Sequence, residues 1–209
     1  EGPDMEKITE FMEENPDLQK VNIWIDSTDF AKIKYHGCSK KSSDHSFKLN
    51  RPELRFTTLE SGSHHIWKIW GGYSPKLHDG EFLQLKKNYM EKRLVNAVII
   101  GDGHYMKGSK IFKCLKFHTP IKKPGSSCPT NDKSKQTPKK KLSPAQWKYN
   151  KEQKHLCVCV ESPFSWIKTT FSALSKPWQE DDDQLTNLVH FAAGCFNNTL
   201  CDINYEWHE

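Results

Sequence analysis

Two short runs of β-favouring residues each close on an aspartate: Val21-Asn22-Ile23-Trp24-Ile25-Asp26 and Asn96-Ala97-Val98-Ile99-Ile100-Gly101-Asp102. Apolar, β-branched stretches of this length read as buried strands. The segments around them complete the pattern. Phe30 to Tyr35 alternates like a half-exposed strand, and Phe47 to Leu59 and His65 to Trp70 resemble two strands of an antiparallel meander, with Gly71 to Pro75 as a turn. Asp79 to Lys92 predicts a helix with Asp79 as its N-cap. Ser143-Pro144-Ala145-Gln146 opens another helix that runs, with a break, through Glu161 to Leu174; Asp181 to Phe196 is a last amphipathic helix. A further helix is expected over Met5 to Met12, and a loop over Cys38 to Asp44. Strands, one helix, a strand and then helices imply a mixed α/β domain with helices over a central sheet.

A chain of 209 residues fits one domain, spanning 1–209. It opens on Glu1, so it is expected to be a fragment. No run reaches the ~18 apolar residues that a membrane span needs, so no membrane partner is expected. Seven cysteines at irregular spacing argue against a disulfide scaffold and for reduced thiols. The net charge of +5 hides an asymmetry, for Lys107 to Lys154 holds fourteen lysines against Asp132 and Glu152 alone. That segment carries +12, leaving −7 for the remainder. Much of it is a Lys/Pro/Ser-rich insertion, residues 120–144, which suits a polyanion such as nucleic acid or a solvated loop equally well.

Neighbouring strands lie ~4.8 Å apart, so two strands ending together would bring Asp26 and Asp102 close enough to share a metal ion. Mg²⁺ takes hard oxygen ligands and retains waters, so two or three carboxylates suffice, and Glu161 could supply the third from a helix beside the strand ends. A solvated strand end or a helix cap explains each aspartate as well, and spacing alone leaves the alternatives open.

Five segments, in order, resemble the DDE-type transposases of the PIF/Harbinger and IS5-like group. They are VNIWIDSTDF at Val21–Phe30, the middle strands with IWGGYSPKLHDGEF at Ile69–Phe82, VIIGDGHY at Val98–Tyr105, Tyr149-Asn150 followed by VESPFSWIK at Val160–Lys168, and the helix from Leu188 to Leu200. The resemblance implies a ribonuclease H-like fold, with a mixed central sheet flanked by helices. It makes Asp26, Asp102 and Glu161 the catalytic, metal-binding triad for two Mg²⁺ or Mn²⁺ ions. It implies hydrolysis at transposon ends, followed by strand transfer to target DNA. Lys168, two helical turns beyond Glu161, and Lys139, Lys140 and Lys141 of the insertion become the expected DNA contacts. The resemblance further implies a homo-oligomer, a separate DNA-binding partner protein, and a nuclear location in a eukaryote or a cytoplasmic one otherwise. The arginine usual before the family's glutamate is missing from His155 to Cys159. The rival readings are a domesticated descendant that binds DNA or partners without cutting, and a nuclease that cuts without joining.

Several other residues invite roles and have plainer explanations. Asp29 lies three positions from Asp26 and would point elsewhere, and Cys157-x-Cys159 and Cys114-x₃-His118 lack the paired spacing of a zinc site. Trp24, Trp67, Trp70, Trp166 and Trp178 read mostly as core, with one able to stack on an unpaired base. If the insertion binds DNA, deleting residues 121–142 weakens binding and flattens its dependence on salt in a titration, whereas unchanged affinity would exclude that role.

Overall fold

The computed structural model describes residues 21–33, 45–46, 50–61, 65–95, 97–122 and 142–206, with backbone alone at 21–22, 155–162 and 201–206. The expected helix at Met5 to Met12, the Cys38 to Asp44 loop, and Lys139, Lys140 and Lys141 lie outside these residues. The elements are β1 (Val21–Ala31), β2 (His45–Ser46), β3 (Arg51–Glu60), β4 (Ile66–Tyr73), α1 (Asp79–Arg93), β5 (Val98–Gly101), a 3-10 turn (Gly103–Lys107), α2 (Gly108–Ile111), β6 (Lys116–His118), α3 (Pro144–Thr170), α4 (Ser172–Ser175) and α5 (Asp182–Glu206). They form a mixed α/β fold: a mixed sheet in the order β2-β3-β1-β5-β6, with β4 also paired to β3, flanked by helices. This architecture is compatible with a ribonuclease H-like fold.

The central strand β1 runs antiparallel to β3 and parallel to β5. Its alternation divides the core, since successive strand residues face opposite sides. Ile23 and Ile25 pack with Leu59, Phe82, Leu83, Met90 and Tyr105 under α1. Phe30 packs on the other face with Phe56, Phe164 and Ile167, and with Leu185, Val189 and Ala192 of α5. Both faces are therefore apolar and covered, which explains why the two strand runs are so uniformly hydrophobic.

The structure departs from sequence expectations at several boundaries. β1 does not stop at Asp26: it continues to Ala31 because Asp26 to Ala31 keep pairing with Thr58 to Glu53 of β3. The described part of the expected Phe30 to Tyr35 strand, residues 30–33, extends β1 to Ala31 and then bridges Lys32 to Trp178. Gly71 to Tyr73, expected as a turn, belong to β4. The N-cap of α1 is His78 rather than Asp79, and the His78 amide donates to the Glu81 carboxylate. Short elements follow Asp102 where only loop was expected. α3 begins as foreseen, with the Ser143 hydroxyl accepting from the Gln146 amide, and it runs unbroken to Thr170 with Pro163 inside it. Of the tryptophans, Trp24 and Trp70 are buried, whereas Trp67 is 53% exposed.

Gly71 is required by packing. A Cβ there would lie 1.8 Å from the Phe56 ring, so no side chain fits without moving a fully buried aromatic. Gly71→Ala is expected to cost about 1–3 kcal/mol of unfolding free energy in chemical denaturation, as overpacked core sites do.

Candidate active site

The run of buried residues at Ile23 to Ile25 gives way at Asp26-Ser27-Thr28-Asp29, which are all half-buried, before Phe30 is buried again. The four residues lie where β1 outruns its parallel neighbour. β5 pairs with β1 only as far as Gly101 opposite Ile25, so one more step places Asp102 beside Asp26. Adjacent strands are ~4.8 Å apart, and residues side by side in a parallel register face the same way. Both aspartates line one open cavity of about 590 Å³, together with Ser27, Thr28, Asp29, Arg55, Lys76, His78, Asp79, His104, Tyr105 and Lys168. Asp102 ends its strand as the cap of the 3-10 turn, and its Oδ1 accepts from the His104 amide at 2.7 Å. That bond fixes one carboxylate oxygen.

Helix α3 crosses the face that carries Asp26. Near its start, the buried Gln153 donates through Nε2 to the Gly101 carbonyl at 3.1 Å and the His118 carbonyl at 2.9 Å. Fifteen residues on, Lys168 Nζ donates to Thr28 Oγ1 at 2.7 Å and to the Asp29 carbonyl at 3.1 Å, and lies 4.7 Å from the Phe30 ring centroid. One anchor thus adjoins Asp102 and the other lies two residues from Asp26. Glu161 occupies the backbone between them, and its side chain lies outside the described part, as do those of Cys157 and Cys159. Among the described residues, no group of three or more His, Cys, Asp and Glu could hold a metal ion. The pair formed by Asp26 and Asp102 suits a hard cation by its chemistry, being carboxylate oxygens at an open cavity.

The electrostatics sort the pocket's four aspartates into two kinds. Arg55 faces Asp29 directly across the strands, and its Nε and Nη2 reach both carboxylate oxygens at 2.8 and 3.1 Å. Its Nη1 also lies 3.9 Å from Asp79. The hydrogen bond to Asp29 raises the Arg55 pKa above its ordinary value, more than burial lowers it. Asp29 and Asp79 are thereby committed to a structural cation. Burial pushes the Lys168 amine down, partly offset by the Asp29 carboxylate. Tyr105 is buried and raised well above an ordinary phenol by desolvation and then by the charges of Asp79, Asp26 and Asp102, while its hydroxyl hydrogen-bonds Ser27 at 2.6 Å. It stays neutral, and with Ser27 and Thr57 it forms a chain of hydroxyls beneath the acids.

Sequence reasoning did not reach Arg55, Gln153, Glu60 or Tyr105. Arg55 had a signal, since an arginine inside a strand that must be half-buried calls for an acidic partner. Gln153 had none, because its partners are two backbone carbonyls 52 and 35 residues away. The base of the insertion is tied down by Asn150, whose side chain donates to the Ile121 carbonyl and accepts from the Ile121 amide.

The family model described as DDE superfamily endonuclease matches residues 63–197. The match covers more than half of the chain. The chain belongs to this family, as a DDE-type transposase domain. The matched span contains Asp102, Glu161 and Lys168 and begins after Asp26. No curated protein and no solved structure matches the chain. Enzymes of the DDE superfamily act on DNA and generally use divalent metals, and a transposase- or endonuclease-like function follows from the membership. Among the described residues, no helix is long and apolar enough to cross a membrane.

Glu60 supplies a test of the field around the acids. It is 1% exposed and hydrogen-bonds Thr58, and burial together with the Asp26 charge pushes its pKa from 4.5 to about 8. Between pH 4.5 and about 8 the folded chain holds a proton that the unfolded chain has released, so stability falls as pH rises through that window. Glu60→Gln removes this dependence. Measured by denaturation in EDTA, its stability relative to the native chain should rise across the window, and a constant difference would show that Glu60 is ionised in the fold.

Proposed function

We propose that the domain is a metal-dependent DNA transposase of the PIF/Harbinger and IS5-like group, cutting phosphodiesters at transposon ends and joining them to target DNA. What supports this reading is that Asp26 and Asp102 line one cavity, each one step past the last β1–β5 pair, Ile25 with Gly101, on the face crossed by α3. Asp26, Asp102 and Glu161 would hold two ions, Mg²⁺ or Mn²⁺. Such ions stabilise the attacking and leaving oxygens of an in-line displacement at phosphorus.

The chain's own residues prepare the site. The His104 amide orients Asp102, and Gln153 and Lys168 tether the two ends of the α3 segment that bears Glu161. Arg55 neutralises Asp29 and keeps it from competing for a cation. Lys168, lining the same cavity, would present positive charge to a DNA strand, and Lys139, Lys140 and Lys141 would add sequence-independent affinity for phosphates. End recognition would come from a DNA-binding module or a partner protein, and the active form would be an oligomer working in the compartment that holds DNA, the nucleus in a eukaryote.

Asp102→Asn is expected to fold and bind DNA normally while losing cleavage. The loss of several kcal/mol of charge stabilisation corresponds to a rate on the order of a thousandfold lower. Labelled transposon-end DNA with Mg²⁺ or Mn²⁺ provides the assay. A variant that cuts at the native rate would remove Asp102 from the triad. A native protein that binds but never cuts would be a scaffold, and one that cuts without joining would be a nuclease.

A further inference from the structure

The wall of the cavity opposite α3 is the turn from Ser74 to His78, between β4 and α1. Pro75, Lys76 and His78 line the cavity that holds Asp26 and Asp102. A short polar turn would ordinarily be the most variable part of such a wall. Here it is tied to the sheet by Arg55. The guanidinium that takes both oxygens of Asp29 also donates from Nη1 to the Leu77 carbonyl at 3.0 Å, and lies 3.9 Å from the Asp79 carboxylate at the start of α1. Arg55, Asp29 and Asp79 are 19, 10 and 13% exposed, so the contacts are shielded from solvent. A planar guanidinium hydrogen-bonded to β1 and to the turn, with an ion pair to the start of α1, leaves the turn little freedom. The two residues that flank the tethered Leu77 are the lysine and the histidine of the cavity wall.

We propose that the Ser74–His78 turn is the second wall of the DNA groove: Lys76 and His78 contact phosphates of the strand lying over Asp26 and Asp102, and Arg55 is the positioning residue that holds them there. This rests on the reading of the cavity as the DNA site. Phosphate contacts by cations and N–H donors fix the register of a strand without reading its bases. Lys168 stands on the α3 side of the same cavity, so a strand crossing it would meet donors on both sides.

The test uses the full chain, a fluorescein-labelled DNA duplex and anisotropy titrations in EDTA at several salt concentrations, with cleavage in Mn²⁺ measured in parallel. Lys76→Ala combined with His78→Ala is expected to weaken binding about tenfold and to flatten the log affinity against log salt by about 1–2. In cleavage the loss should fall on KM, with kcat at saturating DNA within a few-fold of native. Arg55→Lys keeps the charge but loses the fork, so it should weaken binding comparably, and adding it to the double variant should cost nothing more. That non-additivity is what a merely stabilising Arg55 would not give. Unchanged affinity and salt slope in the Lys76/His78 variant would overturn the proposal while native binding and cleavage leave the functional reading intact. An Arg55→Lys chain that loses thermal stability but binds DNA as native would overturn the positioning role. A native chain that does not bind DNA would overturn both readings together.

Discussion

β1 is paired with β3 from Trp24 to Ala31 but with β5 only as far as Ile25, and the rest of the site depends on that mismatch in length. Beyond Ile25, among the described residues, no strand pairs with that side of β1, and the residues at 26–29 border the open cavity. β5 stops at Gly101 because Asp102 turns the chain into the 3-10 segment and caps it through the His104 amide. The same carboxylate that ends the strand is thereby carried to the side of Asp26. Gly101 itself sits close to Ile25 and Tyr105, where a Cβ would come within 2.8 Å of the isoleucine, so the close approach of these strands depends on the missing side chain.

Concentrating acids at one place in a half-buried setting raises the energy of each charge, and the fold answers in three ways. Arg55 takes two of the aspartates. Glu60, buried and near Asp26, is held with its proton through much of the neutral range. Tyr105 keeps its phenolic proton and supplies a neutral hydroxyl chain through Ser27 to Thr57. Asp26 and Asp102 lie outside the Arg55 fork and line the same cavity.

The strands around both aspartates, the helix after Ser143 and the final helix were legible because hydrophobic period and capping chemistry are local. Asp29 was expected to point away from Asp26; it faces Arg55 across the strands, yet it lines the same cavity. The extension of β1 past Asp26 was not legible: Ser27-Thr28-Asp29 is polar, and only pairing with β3 makes it strand. Gly71-Gly72 read as a turn, whereas both lie in β4, where Gly71 admits the Phe56 ring and Gly72 takes a positive φ of 73°. His78 displaced Asp79 as the cap of α1, and Asp79 lies instead within reach of Arg55, a partner 24 residues away that no local rule could supply.

By itself the sequence determined the alternation of buried strands and helices, the two acids that follow apolar runs, and the basic insertion, because each is written in the order of neighbouring residues. Only the tertiary structure decided which acids stand together and which are neutralised. Those outcomes depend on strand register, on where β5 ends against β1, and on the fork of Arg55, contacts between residues far apart in the chain whose energies exist only once the sheet has closed.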